Sequence, residues 1–201
     1  DPIKDIQVLT PMKKGHVGVY QLNNALQAIL NPPDKSKEEK AMKEKVCRVG
    51  DKVMQIRNNY NLKWKKVGEE EEGQGVFNGD FGYIRQIDHE EREMLVLFDD
   101  EKLVKYDFSQ LDELELAYCI TIHKSQGSEF PVVVMPVCWG PPMLLTRNLL
   151  YTAVTRAKEL VVLVGMENSL KEMVDNHRIL QRNSGLGIRL RKFLAENLIE
   201  F

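Results

Sequence analysis

The apolar residues of this 201-residue chain follow two different patterns, and this difference limits the possible folds more than any other feature of the sequence. Outside the middle they form continuous strand-length runs at Ala117–Ile122, Val132–Val137 and Leu160–Val164, which are typical of parallel strands covered on both faces. Near the N-terminus, Ile6–Leu9 is predicted to be a short strand that ends in a loop. In the middle, turn-forming residues separate the predicted strands Lys52–Arg57, Gly82–Asp88, Glu93–Phe98 and Leu103–Phe108. The sequence therefore predicts an α/β domain with a parallel sheet, interrupted by a small β-barrel.

Charge divides the chain into the same three parts. Residues 1–50 hold 9 Lys/Arg and 6 Asp/Glu (net +3), residues 51–118 hold 9 and 17 (net −8), and residues 119–201 hold 10 and 7 (net +3). A domain inserted into a loop of another would give this distribution, and so would a long acidic surface loop. The acidic run 69–72 is predicted to be the tip of an exposed hairpin, with a metal or partner site as the alternative.

Helical spacing of apolar residues predicts helices at 19–30 and 147–158. On the second of these, Arg156 is spaced by four from Thr152 and is predicted to project from a polar edge. Ser169, with Glu172 three residues on, is predicted to cap a further helix. The charged run 37–45 is predicted to be a short solvated helix or a linker.

Three features exclude several classes of protein. Cys47, Cys119 and Cys138 are far apart and form no C-x-x-C pair, which argues against a zinc site and against a disulfide framework and favours a cytoplasmic protein. No apolar run approaches the roughly 20 residues that a membrane helix needs, so no membrane segment is predicted. The N-terminus has neither an initiating Met nor a signal peptide, and we expect the chain to be part of a longer protein.

Two polar segments carry the candidate chemistry. The first, Thr121–Phe130 (TIHKSQGSEF), directly follows a predicted buried strand, where open α/β sheets bind ligands, and its glycine would let the backbone approach a phosphate closely. The second is Leu150–Lys158 (LYTAVTRAK). Since a polar loop after a strand is commonly an ordinary turn, composition alone does not decide its role.

The residues of these two segments, and the order of the segments along the chain, resemble motifs V and VI of superfamily 1 helicases. The resemblance is to the branch that contains RecD, RecD2 and the TraA/TraI conjugative helicases. The matches, at His123–Phe130 and Tyr151–Lys158, are nearly gapless. Gln7–Gly15 resembles motif IV, and the stretch 50–82 resembles the SH3-like 2B insertion of RecD2. The resemblance implies a RecA-like lobe, 2A, interrupted by an SH3-like β-barrel, 2B. The implied divisions are 1–45 (first part of 2A), 46–116 (2B) and 117–201 (second part of 2A).

The resemblance also implies a nucleotide site between two lobes. ATP and Mg²⁺ would bind with the missing first lobe, because the chain contains no G-x-x-x-x-G-K-[ST] phosphate loop, and the chain alone is expected to bind neither and to be inactive. Arg156 would be the arginine finger, with a surface ion pair to Glu159 as the alternative. Gly127 and Glu129 would line the nucleotide, Glu129 accepting a ribose hydroxyl, and Lys13 would be a second phosphate contact.

Single-stranded DNA is the implied polymer. Thr121, His123 and Lys124 would contact its phosphates, with a structural histidine as the alternative for His123, and Gln126 would couple the nucleotide to the DNA grip. In the barrel, the implied contacts are Arg57, Asn59 and Trp64, with packing of Trp64 into its own barrel as the alternative.

The implied function is that of an ATP-dependent DNA helicase. The full-length protein would move 5′ to 3′ on single-stranded DNA, open duplexes at single-strand/double-strand junctions, and could join nuclease-complex subunits. The helicase part of a conjugative relaxase and a non-catalytic DNA- or protein-binding module are the alternatives. No metal site is predicted within the chain itself.

Overall fold

The computed structural model describes residues 1–42, 45–99, 101–138, 140–177 and 185–197. Within these ranges the helices, α1 to α5, are Pro2–Asp5, Val19–Leu30, Arg147–Val154, Glu167–Asp175 and Leu186–Asn197. The strands, β1 to β13, are Ile6–Thr10, Glu39–Ala41, Val46–Arg48, Lys52–Gln55, Asn59–Lys66, Glu72–Val76, Phe81–Asp88, Glu93–Phe98, Lys102–Asp107, Leu114–Leu116, Cys119–Thr121, Phe130–Val137 and Ala157–Gly165. Two short 3-10 helices are Phe108–Glu113 and Ile122–Ser125.

Four strands form a parallel sheet in the order β11-β1-β12-β13. The inner strand β1 pairs with β11 and β12, which follow the barrel in the chain, and Val8 lies opposite both Cys119 and Val134. Leu9, Val133 and Met135 are fully buried in its core, which explains why these strands are continuous apolar runs. The predicted RecA-like parallel sheet is confirmed. None of the helices in the described ranges is long and apolar enough to cross a membrane.

Seven antiparallel strands form the barrel, in the order β10-β4-β7-β8-β9-β5-β6, and all of them lie between Lys52 and Leu116. In β8 every second side chain points into the core, so Met94, Val96 and Phe98 are buried. The predicted SH3-like barrel inserted in the α/β domain is therefore confirmed. The hairpin of β5 and β6 carries exposed glutamates at its tip, as predicted. The divisions after residues 45 and 116 stay predictions.

A buried carboxylate joins the barrel to the parallel lobe. Asp51, just before β4, accepts hydrogen bonds from Gln27 Nε2 at 2.6 Å, Asn31 Nδ2 at 2.7 Å, Tyr118 Oη at 2.8 Å and the Arg48 amide at 2.7 Å. Burial raises the pKa of this carboxyl, although all four donors oppose the rise. Helix α2, the start of the barrel and the segment leading to β11 therefore meet at one side chain.

Three local predictions were wrong. In the charged run 37–45, Glu39–Ala41 is a strand paired with Val46–Arg48, because tertiary pairing overrides the solvated pattern there, and residues 43–44 lie outside the described ranges. Helix α3 ends at Val154, since β12 pairs with the chain from Ala157 onward. Ser169 does not cap α4; it is buried inside that helix, which begins at Glu167.

Candidate functional site

The segment resembling motif V runs from one edge of the parallel sheet to the opposite edge. Thr121 ends β11 and Phe130 begins β12, and both strands point in the same direction, so residues 122–129 return from the carboxyl edge to the amino edge. The 3-10 helix that starts the return is closed by a hydrogen bond of 2.7 Å from Ser125 Oγ to the Ile122 carbonyl. The predicted site residues consequently fall into two groups.

The first group, here called the carboxyl-edge group, consists of Thr121, His123, Lys124 and Lys13. The hydroxyl of Thr121 accepts the Lys124 amide at 3.4 Å, and Lys124 Nζ lies 2.8 Å from Glu115 Oε2. Lys13, Thr121 and Lys124 line one small cavity beside α2, and His123 is exposed. Lys13, predicted on the nucleotide side, therefore lies with the residues predicted to contact DNA.

Gly18, at the start of α2, explains where Lys13 lies. A Cβ at this position would stand 2.6 Å from the main chain of Lys14 and 2.8 Å from the Lys13 carbonyl oxygen. Only glycine lets the loop after β1 fold back this closely on the helix. No role was predicted for this glycine from the sequence.

The second group, here called the amino-edge group, consists of Arg156, Gly127 and Glu129. The guanidinium of Arg156 donates to the carbonyl oxygens of Ser128 and Thr152 and to Thr155 Oγ1, each at 3.3 Å. Among the described residues its partners are thus neutral oxygens, and Glu159, the predicted alternative, is not one of them. Because α3 ends early, Arg156 lies in the turn before β13 and not on the helix.

Gln126 lies between the two groups along the chain, and Gly127 is the first residue of the amino-edge group. Gly127 has φ +92°, and a Cβ there would meet no atom within 4 Å, so the backbone conformation rather than space favours glycine. The side chain of Gln126 is exposed, and its main-chain N–H donates to the His123 carbonyl at 3.4 Å. Only a few residues along the chain therefore separate the carboxyl-edge group from the amino-edge group.

The barrel residues predicted to contact DNA are already engaged with the barrel. Arg57 Nη1 lies 3.0 Å from Asp112 Oδ2, and Asn59 Nδ2 donates to Glu113 Oε2 at 3.0 Å. The half-buried Trp64 ring lies over Gly73, where a Cβ would come within 2.4 Å of it. Trp64 thus has the packing that the alternative predicted.

Two aromatic side chains that the sequence analysis did not consider are exposed on the barrel. Tyr60 is 65% exposed and Phe77 is 43% exposed, and their rings form an edge-to-face pair with centroids 5.6 Å apart. Asn58 and Asn78 adjoin the pair and are joined by a hydrogen bond of 2.9 Å. Their signal in the sequence is an aromatic residue beside turn-forming asparagines, Asn58-Asn59-Tyr60-Asn61 and Phe77-Asn78.

No group of three or more His, Cys, Asp or Glu residues that could hold a metal ion occurs in the described part of the chain.

Two family models match the chain. The model described as ATP-dependent RecD-like DNA helicase SH3 domain matches residues 22–98, and the model described as UvrD-like helicase C-terminal domain matches residues 116–164. The first covers most of the barrel, and the second covers the motif V segment and the Arg156 turn.

Curated relatives carry related names. The chain is 35% identical over 154 residues to the ATP-dependent RecD2 DNA helicase of Deinococcus radiodurans, covering 77% of this chain and 19% of that protein. It is 28% identical over 190 residues to the RecBCD enzyme subunit RecD of Haemophilus influenzae, covering 90% of this chain and 24% of that protein. The chain thus spans about a fifth of the length of these relatives.

Solved structures show the same fold. Bacteroides Pif1 bound to ssDNA matches with a TM-score of 0.53 and 16% identity, covering 95% of this chain and 46% of that chain. Bacteroides Pif1 in complex with ADP-AlF3 and ssDNA matches with a TM-score of 0.52 and 16% identity, covering 94% and 46%.

Proposed function

Because the chain belongs to the RecD-like family of superfamily 1 DNA helicases, we propose that it is motor lobe 2A, with its 2B barrel, of an ATP-dependent helicase that translocates on single-stranded DNA and unwinds duplexes. One observation carries the proposal. The motif V segment joins the carboxyl-edge group to the amino-edge group, so one short segment can connect a DNA grip to a nucleotide site.

Arg156 is the proposed arginine finger. Its guanidinium is held by neutral oxygens, so turning toward a phosphate would break no ion pair, and its charge is available to a γ-phosphate. Gly127 and Glu129 would lie along the nucleotide, Glu129 accepting a ribose hydroxyl. ATP and Mg²⁺ would be held mainly by a first lobe outside this chain, since the chain has no phosphate loop. The chain alone would then not hydrolyse ATP.

The carboxyl-edge group is the proposed DNA grip of the lobe. Thr121, His123 and Lys124 would contact phosphates, which carry no sequence information and suit a motor that steps along any sequence. Lys13 lines the same cavity and belongs with them. The proposed direction is 5′ to 3′, and junctions and nuclease-complex subunits are the proposed partners.

The barrel is the proposed second contact with the single strand. Arg57 and Asn59 remain candidates, although both would have to leave acidic partners within the barrel. For base stacking, the exposed Tyr60 and Phe77 are better placed than the packed Trp64, since stacking needs an open ring face.

The first experiment measures ATP hydrolysis by the full-length protein with and without oligo-dT. Arg156→Ala should lower kcat about 10³-fold with little change in DNA affinity, because the finger acts on charge that develops during transfer. Arg147→Ala, which removes an exposed arginine from the first turn of α3, is the matched control, and the isolated chain is the blank. Normal hydrolysis by Arg156→Ala would contradict the proposal.

Gln126 is the proposed coupling residue between the two groups. Gln126→Ala should reduce the stimulation of hydrolysis by oligo-dT while basal hydrolysis persists. Full stimulation together with normal translocation would exclude this role.

A further inference from the structure

A buried lysine of the barrel reaches the amino edge of the parallel sheet. Lys52, the first residue of β4, is 3% exposed, and its ammonium lies 5.6 Å from the centroid of the Phe81 ring and 6.0 Å from that of Phe130. The two rings pack edge-to-face with centroids 5.7 Å apart. Phe81 belongs to the barrel and Phe130 begins β12, so the cation and the two rings clamp the two parts of the molecule together.

Phe130 and the nearby Ser128 are in turn tied to the Arg156 turn, each by one hydrogen bond. The Phe130 amide donates to the Arg156 carbonyl at 2.9 Å, and Arg156 Nη1 donates to the carbonyl of Ser128, two residues before Phe130. The first bond involves only main chain, so it can persist when the guanidinium turns elsewhere. A displacement of the Phe130 ring would therefore move the turn that carries Arg156.

The surroundings of Lys52 show that packing alone does not account for a charge at this position. Burial lowers its pKa to about 8, and the carboxylates of Asp99 and Asp5 oppose the lowering. Lys4, Arg85, Glu101 and Glu129 line the same cavity of about 710 Å³ between the barrel and the sheet edge. An apolar side chain of similar volume would occupy the site without the desolvation cost.

We infer that Lys52 and Phe130 are positioning residues, which anchor the Arg156 turn to the barrel so that the barrel's orientation sets the position of the guanidinium. The inference rests on the proposed function of Arg156. It links the barrel to hydrolysis by a path that does not pass through the carboxyl-edge group. A barrel displaced by DNA would by this path alter the nucleotide site.

Hydrolysis by the full-length protein tests this path. Lys52→Met, which keeps the apolar volume and removes the charge, should lower kcat about 10-fold while KM for ATP and the Kd for oligo-dT change less than about twofold. Lys52→Arg keeps a cation near the rings and should recover most of kcat. In an Arg156→Ala background, Lys52→Met should cause no further loss, because Lys52 acts through Arg156. An unchanged kcat for Lys52→Met, or a full additional loss in that background, would overturn the inference.

A second measurement follows the anchor itself in the 201-residue chain, independently of catalysis. Hydrogen exchange at the Phe130 amide should accelerate at least about 10-fold in Lys52→Met, while the amides of the β1–β11 pairing keep their rates. Unchanged exchange at Phe130, or equal acceleration at all amides, would contradict the anchor. Phe130→Leu, which keeps an apolar core residue, should give the same loss of kcat as Lys52→Met. Normal hydrolysis by Arg156→Ala would count against the proposed function, whereas the exchange data decide the anchor alone.

Discussion

The surfaces of the barrel and of the parallel lobe differ in how their charged and apolar side chains are arranged. In the barrel, polar side chains pair with one another, as in Arg57 with Asp112 and Lys65 with Glu72, and the apolar side chains alternate into a closed core. In the lobe, the edge strand β13 is different. Leu160 and Val164 are each 54% exposed, and the partners of the Arg156 guanidinium among the described residues are neutral oxygens.

The difference indicates which part is complete by itself. In the barrel several surface charges pair with one another, whereas the lobe presents apolar surface on β13 and a guanidinium whose partners among the described residues are neutral oxygens, as expected of a surface that works against another one. The two parts are joined at Asp51 and at Lys52, which are neighbours in sequence and buried for different reasons.

Asp51→Asn should have a large effect on the joint between the barrel and the parallel lobe. The asparagine NH2 group would replace one carboxylate oxygen and face two of the four donors, and the free energy of unfolding should fall by about 2–4 kcal/mol. Urea denaturation of the isolated chain measures this. Asp112→Asn, which removes an exposed charge pair, is the control and should change stability by less than about 0.5 kcal/mol. Equal effects of the two variants would show that the joint is not at Asp51.

Substitutions of Trp64 and Tyr60 should show that one ring of the barrel contributes to stability and the other to DNA binding. Trp64→Leu removes the ring that covers Gly73 and should lower stability by about 1–2 kcal/mol, with unchanged affinity for oligo-dT. Tyr60→Leu should keep stability and weaken binding by about 1 kcal/mol, because the exposed ring is available for stacking. Fluorescence anisotropy with labelled oligo-dT measures binding, and the reverse assignment would contradict the proposal.

The joint at Lys52 should respond to pH. The pKa of Lys52 is about 8 in the folded chain and near 10.5 when unfolded, so above pH 8 the unfolded state binds more protons. The loss of stability caused by burying the charged Lys52 is therefore present in full below pH 8 and decreases as the pH rises. Between pH 7.5 and 9, wild type should gain about 1 kcal/mol relative to Lys52→Met. Urea denaturation at both pH values tests this, and a constant difference would contradict the burial of a charged Lys52. The buried Cys47 and Cys119 thiols, whose pKa values burial raises, occur in both proteins and cancel.

Threonine substitutions should sharpen the contrast between the two surfaces. Leu160→Thr on the exposed β13 should change stability by less than about 0.5 kcal/mol. Val96→Thr in the barrel core, which places a hydroxyl where no water reaches, should cost about 1–3 kcal/mol. Thermal unfolding of the isolated chain compares them, and a large loss for Leu160→Thr would mean that β13 is not a free surface.

Local patterns predicted much of the fold. The apolar run at β12 and the short alternating strands such as β8 follow from burial, which is a property of each segment. The prediction that β13 is covered on both faces was wrong, because most of its side chains are exposed. Two errors came from strand pairings, one within a local hairpin and one with a strand earlier in the chain. The strand at Glu39–Ala41 depends on Val46–Arg48, and the early end of α3 depends on the pairing of β13 with β12.

The sequence by itself determined the two motifs, the inserted barrel and the candidate residues, because residue type and spacing carry this information. The tertiary structure alone decided which of these side chains are available. Asn59 and Glu113 are 54 residues apart, yet their hydrogen bond occupies an amide predicted to contact DNA. The parallel pairing of β1 with β11 placed Lys13 beside Lys124, and the hydrogen bond from the first residue of β12 placed Arg156 at the opposite edge. Availability depends on partners that meet only when the chain folds, so no local pattern of residues could have shown it.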